Sequence, residues 1–176
     1  MEKKDFKTKI MGSALIVKDL TGIAPVITMS QAAHESNWGN SGLTQKANNL
    51  FGYTINDSWK GDVLSMSTTE YSNYPPDKIH YWNRPGDIAS KEPFKTGSKL
   101  TVVVGFRKYD NWDDSCKDWS RNISGLSRYS TAYQFAKLGD LEGYARAVQL
   151  AGYASDPKYA DALIAVGKEL NNVASN

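Results

Sequence analysis

Cysteine and histidine are scarce in this chain, and each scarcity excludes a class of chemistry. The 176 residues include one cysteine, Cys116, so an internal disulfide is impossible and the fold must rest on its core alone. The two histidines, His34 and His80, have no cysteines or carboxylates around them at the spacing of metal ligands. We therefore predict no metal, no cofactor and no cysteine nucleophile, and we expect Cys116 to be a small buried side chain.

Long apolar runs and a strong net charge are also missing. No stretch approaches the roughly 20 apolar residues of a membrane-spanning helix, so we expect no membrane insertion. The formal net charge is only +2, whereas nucleic-acid-binding proteins usually carry a concentrated basic stripe, so we expect no nucleic-acid partner. Residues 1–17 lack the longer apolar run and the cleavage site of an export signal. We expect release by lysis, delivery by a secretion apparatus, or a domain trimmed from a longer protein.

Helical periodicity is clear in the first part of the chain. Hydrophobic residues make up 40% of the sequence and charged residues 23%, the balance of a globular protein, and the length suits a single domain over 1–176. Apolar residues recur at helical spacing over about 4–20, and Gly22 closes this predicted helix. Pro25 suits the first turn of a second helix that runs to about Ser36. A short helical stretch is predicted at 43–47.

The C-terminal third is also predicted to be helical. Asp110 is expected to cap a helix whose inward face carries Trp112, Cys116, Trp119 and Ile123. Further helices are predicted at 131–138, 141–150 and 157–170.

Between these helices lies a region with extended patterning. Strand-forming residues at 53–55 and 63–69 flank turn-forming residues, which predicts a small antiparallel hairpin or ribbon. Residues 72–99 are interrupted by prolines and glycines and show no clear period, which predicts a long irregular insertion. A strand-like run at 100–109 leads out of it. The predicted fold class is α+β, mostly helical, with a β element and insertion at about 52–109.

Glu35 is the residue best suited to acid catalysis. It stands near the predicted end of the second helix, among alanines and close to Trp38. Poor solvation there would disfavour the charged carboxylate and raise its pKa. A carboxyl that keeps its proton near neutral pH can donate it to a leaving oxygen. Local sequence alone favours an ordinary surface glutamate on a helix, because most glutamates are of that kind.

Six strings, in order along nearly the whole chain, resemble glycoside hydrolase family 73. They are QAAHESNWG at 31–39, ANNLFG at 47–52, WKG at 59–61, TTE at 68–70, FRKY at 106–109 and GYASDPKYA at 152–160. Members of that family are the β-N-acetylglucosaminidases of autolysins, flagellar wall-opening proteins and some phage lysins. Two features depart from the family: His34 occupies a commonly apolar position, and the segment between Glu70 and Phe106 is longer than expected. We expect His34 to be packed or half-exposed rather than catalytic.

The resemblance implies a lysozyme-like fold, with a helical lobe and a small β element flanking a cleft. It implies that Glu35 is the general acid, that Glu70 on the β element is the second carboxylate, and that Tyr153 lies near the acid. Tyr109 is a weaker candidate of the same kind as Tyr153. Aromatic rings and amides that follow the acid in sequence suit sugar binding, and the candidates are Trp38, Asn49, Phe51 and Tyr53. Phe51 fits a core position before the β element better than a sugar platform, and Trp112 and Trp119 are expected in the core.

The function implied by the resemblance is hydrolysis of the β-1,4 bond between N-acetylglucosamine and N-acetylmuramic acid in peptidoglycan. An inverting route and a route assisted by the substrate's acetamido group both remain open. The alternatives are a muramidase or a lytic transglycosylase on the same fold, or an inactive cell-wall-binding module. The expected partner is the glycan strand, the expected place of action is the periplasmic or extracellular wall, and the expected state is a monomer.

Overall fold

The computed structural model describes residues 1–79 and 86–173, so His80 lies outside the described residues. The chain forms two compact units. The helical unit comprises residues 1–52 together with the chain from Tyr109 onward, and the sheet unit comprises Tyr53–Lys108.

Seven α-helices form the described part of the helical unit. They are α1 (Lys3–Thr21), α2 (Pro25–Ser36), α3 (Gly42–Ala47), α4 (Trp112–Gly125), α5 (Ser130–Leu138), α6 (Leu141–Leu150) and α7 (Tyr159–Asn172). Helix α1 packs against α2 and α4, α2 packs against α7, and α6 packs against both α5 and α7. The C-terminal helix therefore lies directly beside α2, the helix that carries Glu35.

The stop signal of α1 works as predicted, but its apolar face is narrower than the sequence suggests. Gly22 takes a left-handed conformation (φ 78°), and its N–H donates to the carbonyl of Lys18. Such a C-cap favours glycine, which has no Cβ. The buried stripe is Phe6, Ile10, Ala14 and Val17. The other apolar positions are more than a third exposed, namely Met11, Leu15 and Ile16.

Helix α4 supplies much of the core of the helical unit. Its buried face includes Trp112, Cys116, Trp119 and Ile123, as predicted. Burial raises the pKa of the Cys116 thiol, so this side chain stays protonated and packs as a small apolar group. The cap differs from the prediction: the side chain of Asn111, not Asp110, accepts a hydrogen bond from the N–H of Asp114.

Within its described residues, the sheet unit contains three antiparallel strands in the order β1-β3-β2. They are β1 (Val63–Ser72), β2 (Asp87–Phe94) and β3 (Gly97–Arg107). Alternate residues of β3 are buried at Leu100, Val102 and Val104, and these form a small core with Ile79 and the half-buried Ile88. Strand β1 is half-buried on the matching face, because its alternate residues pair with those of β3.

Two predictions for the sheet unit were wrong. The predicted partner of residues 63–69 was the segment 53–55, but β1 pairs with β3, and Thr54 makes only an isolated bridge with Phe106. The segment 72–99 is not irregular throughout, because it contains β2 and the start of β3. Strand β2 is an edge strand that is exposed along almost its whole length, so it shows no apolar alternation. An edge strand also tolerates Pro93, which lacks a donor for the ladder.

None of the helices within the described ranges is long and apolar enough to cross a bilayer.

Candidate active site

The last turn of α2 fixes the position of Glu35. The helix ends where Asn37 adopts a left-handed conformation (φ 49°) and its N–H turns back to carbonyl oxygens of the helix. The hydroxyl of Ser36 donates to the carbonyl of Ala32 and accepts from the N–H of Gly39 at 2.8 Å. These bonds tie the helix end to the loop that follows, so the carboxyl of Glu35 projects from a rigid turn.

Two side chains donate hydrogen bonds to the same oxygen of Glu35. The phenol of Tyr159, from α7, donates to Oε1 at 2.5 Å, and the amide of Gln31, one turn earlier on α2, donates to Oε1 at 3.0 Å. The Gln31 amide also donates to the Tyr159 hydroxyl. Gln31 is fully buried, Tyr159 is 5% exposed and Glu35 is half-buried. The carboxyl is thus anchored from inside the helical unit, in a residue that is only half-buried.

The surroundings of Glu35 suit a proton donor. Burial raises the pKa of Glu35, and the hydrogen bonds from Tyr159 and Gln31 lower it without cancelling that effect. The negative end of the α2 dipole also disfavours the charged carboxylate. Burial and the nearby Glu35 charge raise the pKa of Tyr159, so the phenol keeps the hydrogen that it donates. A carboxyl with a raised pKa on a fixed turn can act as a general acid.

Tyrosine rings and His34 surround this group. The ring of Tyr153 lies 5.7 Å from that of Tyr159 and 6.0 Å from that of Tyr129, centroid to centroid. The His34 ring meets Tyr159 edge-on at 5.1 Å and is half-buried, as expected for a packed histidine. Burial lowers the pKa of His34, partly opposed by the charge of Asp156. Tyr153 therefore lies beside the residue that contacts Glu35.

Sequence reasoning missed Gln31 and Tyr159 as site residues. Both stand inside strings that carry the family resemblance, but neither was singled out. The contact between α2 and α7 joins residues 124 positions apart. Local pattern contains no trace of such a contact; only the repeated presence of both residues in one family would point to it.

Glu70 lies on β1 of the sheet unit. It pairs with Leu100 across the β1–β3 ladder and shares the half-buried face of the strand with Met66 and Thr68. A carboxylate on that face stands beside the apolar core of the sheet rather than on its solvent side. Its assignment as the second carboxylate stays a prediction.

Three of the proposed sugar-binding residues are buried in the helical unit. Trp38 is 7% exposed and meets Phe6 edge-on, and Asn49 is 1% exposed. Phe51 is 5% exposed and stacks on Trp119 with ring centroids 5.0 Å apart. These rings present little free face to a pyranose, so we do not carry Trp38 and Phe51 forward as sugar platforms.

Tyr109 and Tyr53 have structural partners within their own units. The Tyr109 side chain is 6% exposed, and its phenol donates to Asp118 at 2.6 Å. Tyr53 is half-buried in the sheet unit, where the guanidinium of Arg107 lies 5.4 Å from its ring centroid. Arg107 also donates to the carbonyl of Thr54 at 3.0 Å and thereby holds the segment that carries Tyr53. Tyr53 keeps the more accessible ring of the two.

Replacing Phe51 with leucine is expected to lower the free energy of unfolding by about 1–2 kcal/mol, because the stacked pair with Trp119 is lost while most of the volume is kept. Urea unfolding measures this change. The control is Leu138→Ala, which removes a side chain that is 80% exposed and should change stability by less than about 0.5 kcal/mol. A raised KM for cell walls with unchanged stability would instead return Phe51 to the sugar-binding surface.

Metal ligation finds no support in the described ranges, where no three histidine, cysteine or acidic side chains come together to hold an ion.

Known proteins resemble this chain over nearly its whole length. Residues 13–172 match the family Glucosaminidase, described as mannosyl-glycoprotein endo-beta-N-acetylglucosaminidase. Peptidoglycan hydrolase FlgJ of Vibrio parahaemolyticus is 31% identical over 156 residues, which cover 86% of this chain and 42% of that protein. Exo-glucosaminidase LytG of Bacillus subtilis is 32% identical over 167 residues, or 94% of this chain and 50% of that protein. The chain thus spans half or less of the length of these curated relatives.

The fold comparison agrees with the sequence comparison. A C-terminally truncated glycoside hydrolase domain of Salmonella typhimurium FlgJ superposes with a TM-score of 0.71 at 26% identity, covering 98% of this chain and 100% of that chain. The predicted α+β, lysozyme-like fold class is confirmed. With a family match over residues 13–172, the chain belongs to the glucosaminidase family, glycoside hydrolase family 73, as its motifs predict.

Proposed function

We propose that this chain is a peptidoglycan hydrolase that cleaves the β-1,4 bond between N-acetylglucosamine and N-acetylmuramic acid within glycan strands. The observation that carries the proposal is the carboxyl of Glu35, half-buried at the end of α2 and held by two internal donors. Its raised pKa supports a role as the acid that protonates the departing glycosidic oxygen. The curated relatives, named as a peptidoglycan hydrolase and an exo-glucosaminidase, support the substrate class.

In the proposed reaction, Glu35 gives its proton to the glycosidic oxygen as the bond from that oxygen to the sugar carbon breaks. Positive charge then develops on the sugar ring. Glu70 supplies the second carboxylate, which supports that charge or takes a proton from the attacking water. We propose that the phenol of Tyr153, whose ring lies beside that of Tyr159, hydrogen-bonds the acetamido group of the substrate.

The two open routes predict different products. If Glu70 activates water directly, the new reducing end first appears with inverted anomeric configuration. If the acetamido oxygen of the substrate attacks first, two displacements leave the configuration retained. Proton NMR of the anomeric region during the first minutes of digestion of a soluble glycan distinguishes the routes.

Mass spectrometry of digested, purified cell walls tests the proposed bond. We expect oligosaccharide fragments that end in reducing N-acetylglucosamine. A reducing N-acetylmuramic acid end would identify a muramidase, and a 1,6-anhydro end would identify a lytic transglycosylase. Free N-acetylglucosamine as the sole product would indicate exo-cleavage, as named for LytG. No release, with binding to walls retained, would identify an inactive wall-binding module.

The proposed setting is the bacterial cell wall, reached in the periplasm or outside the cell, with the chain acting as a monomer on glycan strands. Sedimentation of the purified chain with and without wall fragments tests both the binding and the monomeric state.

A further inference from the structure

Gln31, Tyr159 and Glu35 form a closed ring of three hydrogen bonds. The Gln31 amide donates to Glu35 Oε1 at 3.0 Å and to the Tyr159 hydroxyl, and that hydroxyl donates to the same Oε1 at 2.5 Å. Gln31 is fully buried and Tyr159 nearly so. Because both donors lie on packed helices, α2 and α7, neither can turn away without disturbing the core.

The donor count in this ring decides where the acid's proton can reside. Both N–H groups of the Gln31 amide and the single O–H of Tyr159 are engaged. A proton on Oε1 of Glu35 would face two hydrogens that already point at that oxygen. No hydrogen-bond donor to the other oxygen, Oε2, is found among the described residues, so a proton on Oε2 meets no opposing hydrogen and the neutral acid carries its proton there.

The amide orientation is consistent with this count. Gln31 Oε1 is buried and has no hydrogen-bond partner within the described part of the chain. Rotating the amide by half a turn would place its oxygen against the carboxylate of Glu35. The negative partial charge on that amide oxygen would then repel the negatively charged carboxylate oxygen. The orientation with the nitrogen toward Glu35 leaves one acceptor without a partner, which is the smaller loss when Glu35 is ionised.

We propose that Gln31 and Tyr159 are positioning residues that clamp Oε1 of Glu35, so that Oε2 is the oxygen that delivers the proton to the glycosidic oxygen. This inference rests on the proposed function, in which Glu35 is the general acid. It adds which of the two oxygens acts and which side chains select it. Gln31 and Tyr159 act through Glu35 and need no contact with the substrate.

The clamp has a second consequence that a purely structural role would lack. Donors to a carboxylate stabilise its charged form, so the clamp holds the pKa of Glu35 below the value that burial alone would produce. Among the described side chains, four other titratable groups lie around these hydrogen bonds. The rings of His34 and Tyr153 pack against Tyr159, and Tyr144 on α6 faces Tyr159. The charge of Asp156 acts on His34. Neither Tyr159→Phe nor Gln31→Met changes the chemical identity of any of these groups.

The test uses Tyr159→Phe and Gln31→Met in the whole chain, with Tyr133→Phe as the matched control. Tyr133 donates an equally direct phenol hydrogen bond, to the carbonyl of Thr21 at 2.6 Å, in the same helical unit. Protein labelled with carbon-13 at glutamate side-chain carboxyls is titrated by NMR, and the Glu35 signal is assigned by its disappearance in Glu35→Gln. This readout requires no activity.

We expect the pKa of Glu35 to rise in both clamp variants, by on the order of one pH unit for each lost bond to the charged form. It should not move in Tyr133→Phe. Because the acid must be protonated to act, kcat/KM falls as pH rises through its pKa. The alkaline limb of the kcat/KM profile should therefore move to higher pH by the same amount, with a lower plateau since Oε2 is no longer oriented.

An unchanged or lowered pKa in both variants would overturn the clamp, and so would a shift of equal size in Tyr133→Phe. Should one clamp variant fail to fold, the other decides, because each removes a different donor to Oε1. The outcome is separable from the proposed function. An active, folded Glu35→Gln protein would refute acid catalysis by Glu35, whereas a dead Glu35→Gln with an unshifted titration in the clamp variants would refute only the clamp.

Discussion

Replacing Glu35 with glutamine should reduce hydrolysis of purified cell walls by at least about a hundredfold while leaving the fold intact. Glutamine has nearly the same shape as glutamate, and its amide oxygen can still accept the bonds from Tyr159 and Gln31. What it lacks is the carboxyl proton. The leaving oxygen must then depart as an alkoxide, which an active site without another acid at that position cannot support at neutral pH.

Release of dye from labelled walls gives the rate, and thermal unfolding with circular dichroism confirms that the variant is folded. The matched control is Glu142→Gln, which makes the same chemical change at an exposed position on α6, where Glu142 pairs with Arg146. That pair lies on the surface and is screened by solvent, so its loss should change stability little and leave the rate within about twofold. A folded Glu35→Gln protein that still clears walls at the native rate would remove Glu35 from the reaction.

The helices of this fold were predictable wherever local signals mark their ends. Helix α2 begins at Pro25 and ends at Ser36, and α6 spans Leu141–Leu150, both as predicted. Proline at a first turn and glycine at a left-handed cap act within one turn of chain, so a single sequence displays them. The start of α7 was placed too early: the side chain of Asp156 accepts from the N–H of Lys158, and the helix begins only at Tyr159.

The sheet was predicted less well because its partners are not sequence neighbours. Strand β1 pairs with β3 across the long segment that contains β2, and the ladder joins Val63 to Arg107. No turn motif specifies such a pairing. Strand β2 has one face on solvent and an open edge, so neither apolar alternation nor a buried run marks it.

Glu35 could be identified from the sequence, whereas its hydrogen-bond donors could be identified only from the structure. Glu35 stood out through its apolar neighbours and through the family strings around it. Its donors, Gln31 and Tyr159, become visible only when α7 packs against α2. Trp38, close to the acid in sequence, was expected to bind sugar, yet it is buried against Phe6. Phe51, a candidate for both sugar binding and the core, stacks on Trp119 and lies in the core. Closeness along the chain was a poor guide to exposure, because the ring of Trp38 after α2 and the ring of Phe51 after α3 both turn inward.

The second prediction of a large effect concerns Glu70, the proposed second carboxylate. Glu70→Gln should reduce wall hydrolysis on the order of a hundredfold, because the amide can neither take a proton from water nor stabilise positive charge on the sugar ring as a carboxylate does. Substitution by glutamine keeps the volume and the β1–β3 ladder, in which Glu70 pairs with Leu100. Dye release and product analysis at several pH values, with stability measured in parallel, give the result.

Glu92→Gln is the matched control, because it makes the same chemical change at a different position of the same sheet. Glu92 stands on the edge strand β2 of the same sheet, is exposed, and pairs with Lys99 of β3. It should retain native activity and lose little stability. A Glu70→Gln protein with native rates would remove Glu70 from the reaction, and the products would then distinguish a lytic transglycosylase, with 1,6-anhydro ends, from hydrolysis assisted by the acetamido group, with reducing N-acetylglucosamine ends. A hundredfold loss with reducing N-acetylglucosamine ends retained in the residual product would instead support hydrolysis in which Glu70 takes part, either as the base for water or as the carboxylate that supports the positive sugar ring.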